Sequence, residues 1–256
     1  MERLLSLAAG TLPEFAPAEA VAAAAATGWR ACGIWFDPTT FTEGVSRDVR
    51  RRLDDAGMIA LDIEPVIASP NGDSGEALVE AAAAIGARFV LFTSRDPDRG
   101  RTIERFARIC DLAAGAGIAV VCEFLPIFTL RTLEAAIDVV RVAARPNGGV
   151  LVDNLHLSRS GGSVADLDSI PRELFPYLQI ADAPAARPTE FSGLFEEAMN
   201  GRLLPGQGGL PIVSLLAAVP DVPISFELRS RSVRERWPDA TERARAVHAA
   251  VTHLAR

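Results

Sequence analysis

Several short apolar runs in this 256-residue chain carry or end in an oxygen donor. Glu123 closes Val121-Cys122-Glu123, and Asp153 follows the run Gly149–Val152, with Asn154 and His156 just beyond. Gln179 lies inside Leu178-Gln179-Ile180-Ala181, and Glu227 precedes Leu228 and Arg229. A carboxylate in an apolar segment is costly unless it is paired, protonated or bound to a metal. If the runs converge, the three carboxylates repel one another and a divalent cation relieves the repulsion. A donor set of Glu123, Asp153, Gln179 and Glu227 offers only oxygen, which favours Mn²⁺ or Mg²⁺ and leaves Co²⁺ or Zn²⁺ open. The alternative is a purely structural cluster neutralised by arginine, for which Arg159 and Arg229 are the candidates.

These residues need a scaffold that gathers the ends of separate runs. Eight short apolar runs alternate with longer amphipathic stretches: Leu4–Ala8, Ala31–Phe36, Ile59–Glu64, Arg88–Thr93, Ile118–Phe124, Gly149–Asp153, Tyr177–Ala181 and Ile224–Leu228. Continuous apolar runs are what strands buried on both faces require. Helices are expected at Arg47–Ala56, Gly75–Ile85, Ile103–Ala114, Thr132–Ala143 and Arg234–Leu254, several ending in glycine (Gly28, Gly57, Gly86, Gly117) as helix stops. The first run is followed by Gly10-Thr11-Leu12-Pro13-Glu14, without the glycine fingerprint of an open dinucleotide-binding sheet. The pattern therefore predicts one α/β domain over residues 1–256, a single (β/α)8 TIM barrel. In such a barrel the carboxyl ends of the strands line the catalytic mouth. The stretch Ala183–Gly209, rich in Pro, Gly and Arg, is expected to be an irregular loop or lid over that mouth.

Composition removes several function classes. The net charge of -7 gives no long-range attraction for nucleic acid or anionic lipid, so a small-molecule substrate is the expected partner. All 26 basic residues are arginine, which excludes lysine Schiff-base chemistry and the P-loop lysine. The cysteines Cys32, Cys110 and Cys122 form no paired motif and read as buried small hydrophobes in a reducing cytoplasm. The N-terminus, with Glu2, Arg3 and a short apolar stretch, reads as a first strand and not a secretion signal. No uncharged apolar run approaches membrane-spanning length.

The order of these motifs resembles the xylose-isomerase-like barrel superfamily of sugar phosphate isomerases and epimerases. Glu123 matches its glutamate ending the fifth strand, Asp153-Asn154-Leu155-His156 its Asp-x-x-His motif, and Glu227 its glutamate on the eighth strand. The histidine usual on the seventh strand is Gln179 here, as in the 3-dehydroshikimate dehydratases of the superfamily. Leu204-Pro205-Gly206-Gln207-Gly208-Gly209 resembles the Pro-Gly-x-Gly turn after strand seven, with Gln207 where relatives often carry glutamate. Endonuclease IV shares the barrel, but it uses several histidines for zinc, and this chain has three histidines and no basic surface.

The resemblance implies a divalent-metal-dependent isomerase or epimerase of a sugar, sugar phosphate or related hydroxy-carbonyl compound in carbohydrate metabolism. Glu123 and Glu227 would serve as base and acid about a metal-stabilised enediolate, with His156 relaying a proton. A dehydratase (lyase) of the 3-dehydroshikimate type begins with the same proton abstraction, His156 then acting as general acid. A non-catalytic, sugar-binding or partner-dependent barrel is the third reading. Substrate contacts are expected from Arg159, Arg229, Glu64 and the apolar wall of Trp35. Relatives imply a homodimer or homotetramer.

Overall fold

A computed structural model describes residues 2–255. In chain order the elements are β1 (Leu5–Leu7), α1 (Pro17–Ala25), β2 (Ala31–Trp35), α2 (Glu43–Ala56), β3 (Ile59–Ala68) and α3 (Gly75–Ile85). Next come β4 (Phe89–Ser94), α4 (Arg99–Ala114), β5 (Ala119–Glu123), α5 (Leu133–Ala143), β6 (Gly148–Asp153) and α6 (Asn154–Arg159). The chain finishes with β7 (Leu178–Ile180), α7 (Phe191–Asn200), α8 (Ile212–Ala218), β8 (Ile224–Phe226), α9 (Arg231–Arg236) and α10 (Ala240–Val251). The eight strands are parallel and close in sequence order, β8 pairing with β1, so the expected (β/α)8 barrel forms. Among the described residues no helix is long and apolar enough to cross a membrane.

The helix stops act as the residue types require. Gly57 and Gly86 cap α2 and α3 with φ of 61° and 70°, in the left-handed region where glycine is unstrained. On the opposite ends, Thr42, Asp98, Thr132 and Asp153 accept backbone N–H bonds at the starts of α2, α4, α5 and α6.

Two core regions follow from the strand period of two. Outward side chains such as Leu7, Ile34, Val90, Val120, Val152 and Ile180 pack under the helices. Ala31, Leu61, Leu91, Val121, Leu151 and Tyr177 form a separate apolar plug. Val121, Leu151 and Tyr177 each lie two residues before Glu123, Asp153 and Gln179, so the plug and those donors share the inner face, with the donors nearer the mouth. On β1, β7 and β8 the inner layer is polar: Ser6 pairs in register with Ser225, and Ser225 with Gln179.

Two segments depart from the sequence expectation. Ala183–Gly209 is not irregular throughout, because α7 occupies its middle and lays Phe195, Ala198 and Met199 against the mouth. Arg234–Leu254 is not one helix: it is interrupted at Trp237–Asp239, where Pro238 cannot continue α9 and Asp239 caps α10.

Candidate metal centre

Glu123 and Asp153 end neighbouring strands, and α6 starts directly after β6, so its first turn brings His156 back beside both. One potential ligand atom from each of Glu123, Asp153 and His156 lies within 4.8 Å of the others. Asp153 Oδ1 accepts the backbone N–H groups of Leu155 at 2.7 Å and His156 at 3.1 Å, which holds that turn in place. Its Oδ2 is 2.6 Å from Arg202 Nη1. Arg202 continues to Glu227, with Nη2 2.8 Å from Oε2, and the same nitrogen lies 3.4 Å from His156 Nε2. The other oxygen of Glu227 accepts from Arg229 Nε at 3.0 Å, and the Arg229 guanidinium sits 4.9 Å from the Trp35 ring.

Gln179 stands between Asp153 and Glu227 in strand order, fully buried, with neither Oε1 nor Nε2 hydrogen-bonded. Glu123 has no hydrogen-bond or ion-pair partner among the described residues. Thus the anticipated donors share one end of the barrel, but not equally. Glu123 and Asp153 approach with His156, while both oxygens of Glu227 face arginines.

The electrostatics expose an excess of negative charge. Burial pushes the Glu123 carboxyl well above the usual carboxylate range, reinforced by Glu227, Asp153 and Glu64. Glu64 is raised in the same way by burial and then by Glu227 and Asp62. Asp153 goes the other way: burial opposes ionisation, but Arg202 and His156 outweigh it and hold the carboxyl below its ordinary value. Burial lowers His156, leaving a neutral imidazole at neutral pH, and its Nδ1 has no partner. Fully ionised, Glu64, Glu123, Asp153 and Glu227 would face only two guanidinium groups, the buried Arg202 and the partly exposed Arg229, and the raised Glu64 and Glu123 carboxyls show that this charge is not met by the protein alone.

Those observations test whether a dication fits. An amide and a carboxyl with unfilled acceptor capacity, in a ring whose carboxyls cannot all ionise without further positive charge, are donors a hard divalent ion takes. The residues fit, with Glu123, Asp153, Gln179 and Glu227 able to hold it and His156 at their side.

Above the ring lies a cavity of ≈ 280 Å³ lined by Trp35, Glu64, Phe128, His156, Phe195 and Arg229 among others. Of the residues expected to touch substrate, Trp35, Glu64 and Arg229 reach it. Arg159 does not. It is buried behind α6, bonded to both oxygens of Glu197 on α7 at 2.6 and 2.8 Å and to the Pro184 carbonyl at 2.6 Å. The expected substrate contact through Arg159 is therefore not formed in this arrangement, where the side chain ties α6 to α7.

Arg202 is the residue that sequence reasoning missed. The signal was its place two residues before Leu204-Pro205-Gly206, a turn that the chain builds with care. Asp182 Oδ1 accepts from Ala183 and Leu210, and its Oδ2 accepts from Gly206 and Gly208, all between 2.9 and 3.1 Å. A side chain at position 208 would put Cβ 2.2 Å from the Ala183 carbonyl oxygen, so glycine is required there for close approach. Backbone bonds between Asp182 and Leu203, and from Arg202 N–H to the Arg229 carbonyl, complete the support that aims Arg202 inward.

Asp62 lies deeper and carries a measurable consequence. It is fully buried, accepts a 2.7 Å bond from the Tyr177 hydroxyl, and leaves Oδ1 unpartnered. Burial raises it to about 6, Tyr177 pulling down and Glu227 pushing up. A carboxyl raised above its unfolded value binds its proton more tightly when folded, so stability falls as pH climbs from the unfolded pKa to about 6. Asp62→Asn keeps an acceptor for Tyr177 and has no charge to desolvate. It is expected to flatten that slope and to gain about 3 kcal/mol above pH ~6, in order of magnitude. Denaturant melts of both proteins in chelator, on either side of this window, check it. An unchanged slope would assign the pH dependence elsewhere.

Fold and site together define a (β/α)8 barrel with a cluster of potential metal ligands, Glu123, Asp153 and His156, at its mouth. The chain belongs to the xylose isomerase-like TIM barrel family, whose model matches residues 21–251. It is 28% identical over 225 residues to a 3-dehydroshikimate dehydratase of Pseudomonas aeruginosa, covering 82% of this chain and 34% of that protein. The chain thus spans about a third of the length of the curated relatives it matches. Among solved structures, the IolI protein with a bound zinc atom superposes with a TM-score of 0.83 at 17% identity, over 100% of this chain and 98% of that one. A D-allulose 3-epimerase from Methylomonas sp. gives 0.71 at 16% identity, over 99% and 98%. These likenesses show a shared fold, and the dehydratase and the epimerase are enzymes.

Proposed function

We propose that this barrel is a divalent-metal-dependent lyase that dehydrates a small hydroxylated carbonyl compound of the 3-dehydroshikimate type. The observation that carries the reading is Gln179: a buried carboxamide without a hydrogen bond, in the ring of Glu123, Asp153 and Glu227. The match to 3-dehydroshikimate dehydratases at 28% and 25% identity supports dehydration ahead of isomerisation. Mn²⁺ or Mg²⁺ suits the four oxygen donors, while His156 beside Glu123 and Asp153 would also accommodate Zn²⁺ or Co²⁺.

When bound, the ion supplies Lewis acidity that polarises a substrate carbonyl and makes its neighbouring C–H more acidic. The protein's own groups do the rest. His156, neutral and at the cavity wall, accepts the C–H proton and returns it to the departing hydroxyl, which leaves as water. Arg229, stacked on Trp35 and bonded to Glu227, offers its remaining N–H groups to a substrate oxygen. Glu64, with Oε1 unpartnered, accepts from a substrate hydroxyl. Phe195 and Met199 on α7 exclude water from the mouth. Three buried, unpaired thiols agree with a reducing, cytoplasmic setting.

Incubation with 3-dehydroshikimate is expected to yield an aromatic product, detected by its ultraviolet absorbance. Chelation should abolish it, and Mn²⁺ or Mg²⁺ should restore it. Full turnover after exhaustive chelation would exclude the metal. The second reading, isomerisation or epimerisation of a sugar or sugar phosphate, draws on the placement of Glu123 and Glu227 three strands apart across the mouth. Interconversion of ketoses without any aromatic product would establish it instead.

A further inference from the structure

The donor ring holds a cation of its own, on a side chain. Arg202 is 2% exposed and bridges two of the carboxylates, with Nη1 2.6 Å from Asp153 Oδ2 and Nη2 2.8 Å from Glu227 Oε2. The oxygens it grips are the ones that matter. Asp153 Oδ1 already accepts two backbone N–H groups, from Leu155 and His156, so Oδ2 is the oxygen left to ligate. Glu227 Oε1 is engaged by Arg229, which leaves Oε2, and Arg202 holds that one. A guanidinium and a dication sharing these oxygens would stand a few ångströms apart in a buried, weakly screened place, where like charges repel strongly.

The mounting of Arg202 allows it to yield. Its backbone is tied to Arg229 and to the Asp182-braced turn, so the residue itself stays in place. Its side chain borders the ≈ 280 Å³ cavity, and apart from the two carboxylates and His156 it is held only by main-chain carbonyls, Nε to Ala198 at 3.2 Å and Nη1 to Glu227 at 3.4 Å, bonds that break when the guanidinium turns into the cavity. Resting on the metal reading above, we propose that Arg202 is a resident counter-cation that competes with a divalent ion for Asp153 and Glu227. It moves aside when the ion binds. In this arrangement Arg202 keeps the empty ring folded and sets how tightly the ion is held.

Arg202→Met removes the charge at similar length, and Arg202→Lys keeps a charge that cannot span both carboxylates. Mn²⁺ binding is measured without substrate, by the electron paramagnetic resonance of the free ion. Arg202→Met is expected to bind Mn²⁺ roughly tenfold more tightly than the wild type, with Arg202→Lys between them. Its melting temperature in chelator should fall, and Mn²⁺ should recover it. Equal or weaker Mn²⁺ binding by Arg202→Met overturns the proposal while leaving the metal reading intact. Absence of Mn²⁺ uptake by wild type and variant alike overturns both. Should Arg202→Met fail to fold, arginine-labelled wild-type protein supplies the answer by ¹⁵N NMR. The Arg202 Nε–H resonance, assigned by its loss in Arg202→Lys, should be protected from exchange in chelator and lose protection on Mg²⁺ saturation. A resonance that keeps its protection overturns the proposal.

Discussion

Replacing Glu123 with glutamine is expected to lower kcat/KM by at least ~10³-fold, about 4 kcal/mol of transition-state stabilisation, while leaving the barrel as stable as before. The two halves of that expectation have one cause. Burial and the neighbouring carboxylates hold the Glu123 carboxyl well above its ordinary range, so without a cation the protonated form is favoured. Glutamine is close in shape to that neutral form, and the side chain has no hydrogen bond or ion pair among the described residues to lose. Stability therefore has little reason to fall. Binding a dication is different, because it draws on the ionised carboxylate, which the amide cannot supply. Turnover of 3-dehydroshikimate, Mn²⁺ affinity and a thermal melt check the three parts. Wild-type turnover in Glu123→Gln would remove this residue from the chemistry, whatever the melt shows.

Asp153→Ala should do the reverse and damage the fold first. Asp153 caps the first turn of α6 with two backbone bonds and carries one end of the Arg202 bridge, and it is fully buried. Truncation leaves the guanidinium facing Glu227 alone and strips two N–H groups of their acceptor. Breaking a buried ion pair from one side costs about 3–5 kcal/mol, and the lost cap adds to it. For a chain of this size each kcal/mol is worth roughly 2–4 °C, so a fall of about 10 °C or more is expected. The pH dependence has a defined sign. Asp153 is held below its unfolded value, so its contribution is present above the ordinary aspartate range and is lost as pH falls toward the lowered value. Wild type should therefore lose its advantage over Asp153→Ala in acid. An advantage undiminished in acid would place its source outside this carboxylate.

The parts of this architecture that were legible share one property: they depend on local pattern. Each strand is an apolar run, and each start and stop is marked by a capping residue or a glycine, so the barrel and its eight strands follow from periodicity. Glu64, Glu123, Asp153 and Glu227 stood out because a carboxylate at the end of such a run is expensive to bury. The illegible parts depend on what meets them in space. Phe191–Asn200 contains Ser192 and Gly193 and lies between turn-rich segments, and its helix is held by burial of Glu197 against Arg159. Because that helix was not anticipated, Arg159 was left without a partner in the sequence and was assigned to the substrate. Arg202 is the converse. Its nearness to Leu204-Pro205-Gly206 marks a turn but not its burial, since its direction is set by bridges from Asp182 to Leu203 and from Gly201 to Ser230. Of the two arginines the sequence offers for an arginine-neutralised cluster, Arg229 reaches Glu227, while Arg159 pairs with Glu197 and Arg202 stands in the cluster instead.

The brace at Asp182 has an implication for how such a mouth is diversified. All four of its bonds go to main-chain N–H groups, so the shape of the turn is encoded in backbone and glycine and not in the outward side chains. Gln207 is exposed at the apex, tied in through its main-chain N–H to the Leu204 carbonyl, and its side chain takes no part in that scaffold. The side chain there can be varied by saturation mutagenesis while the main-chain brace that supports Arg202 stays intact, like changing the tip of a tool without loosening its handle.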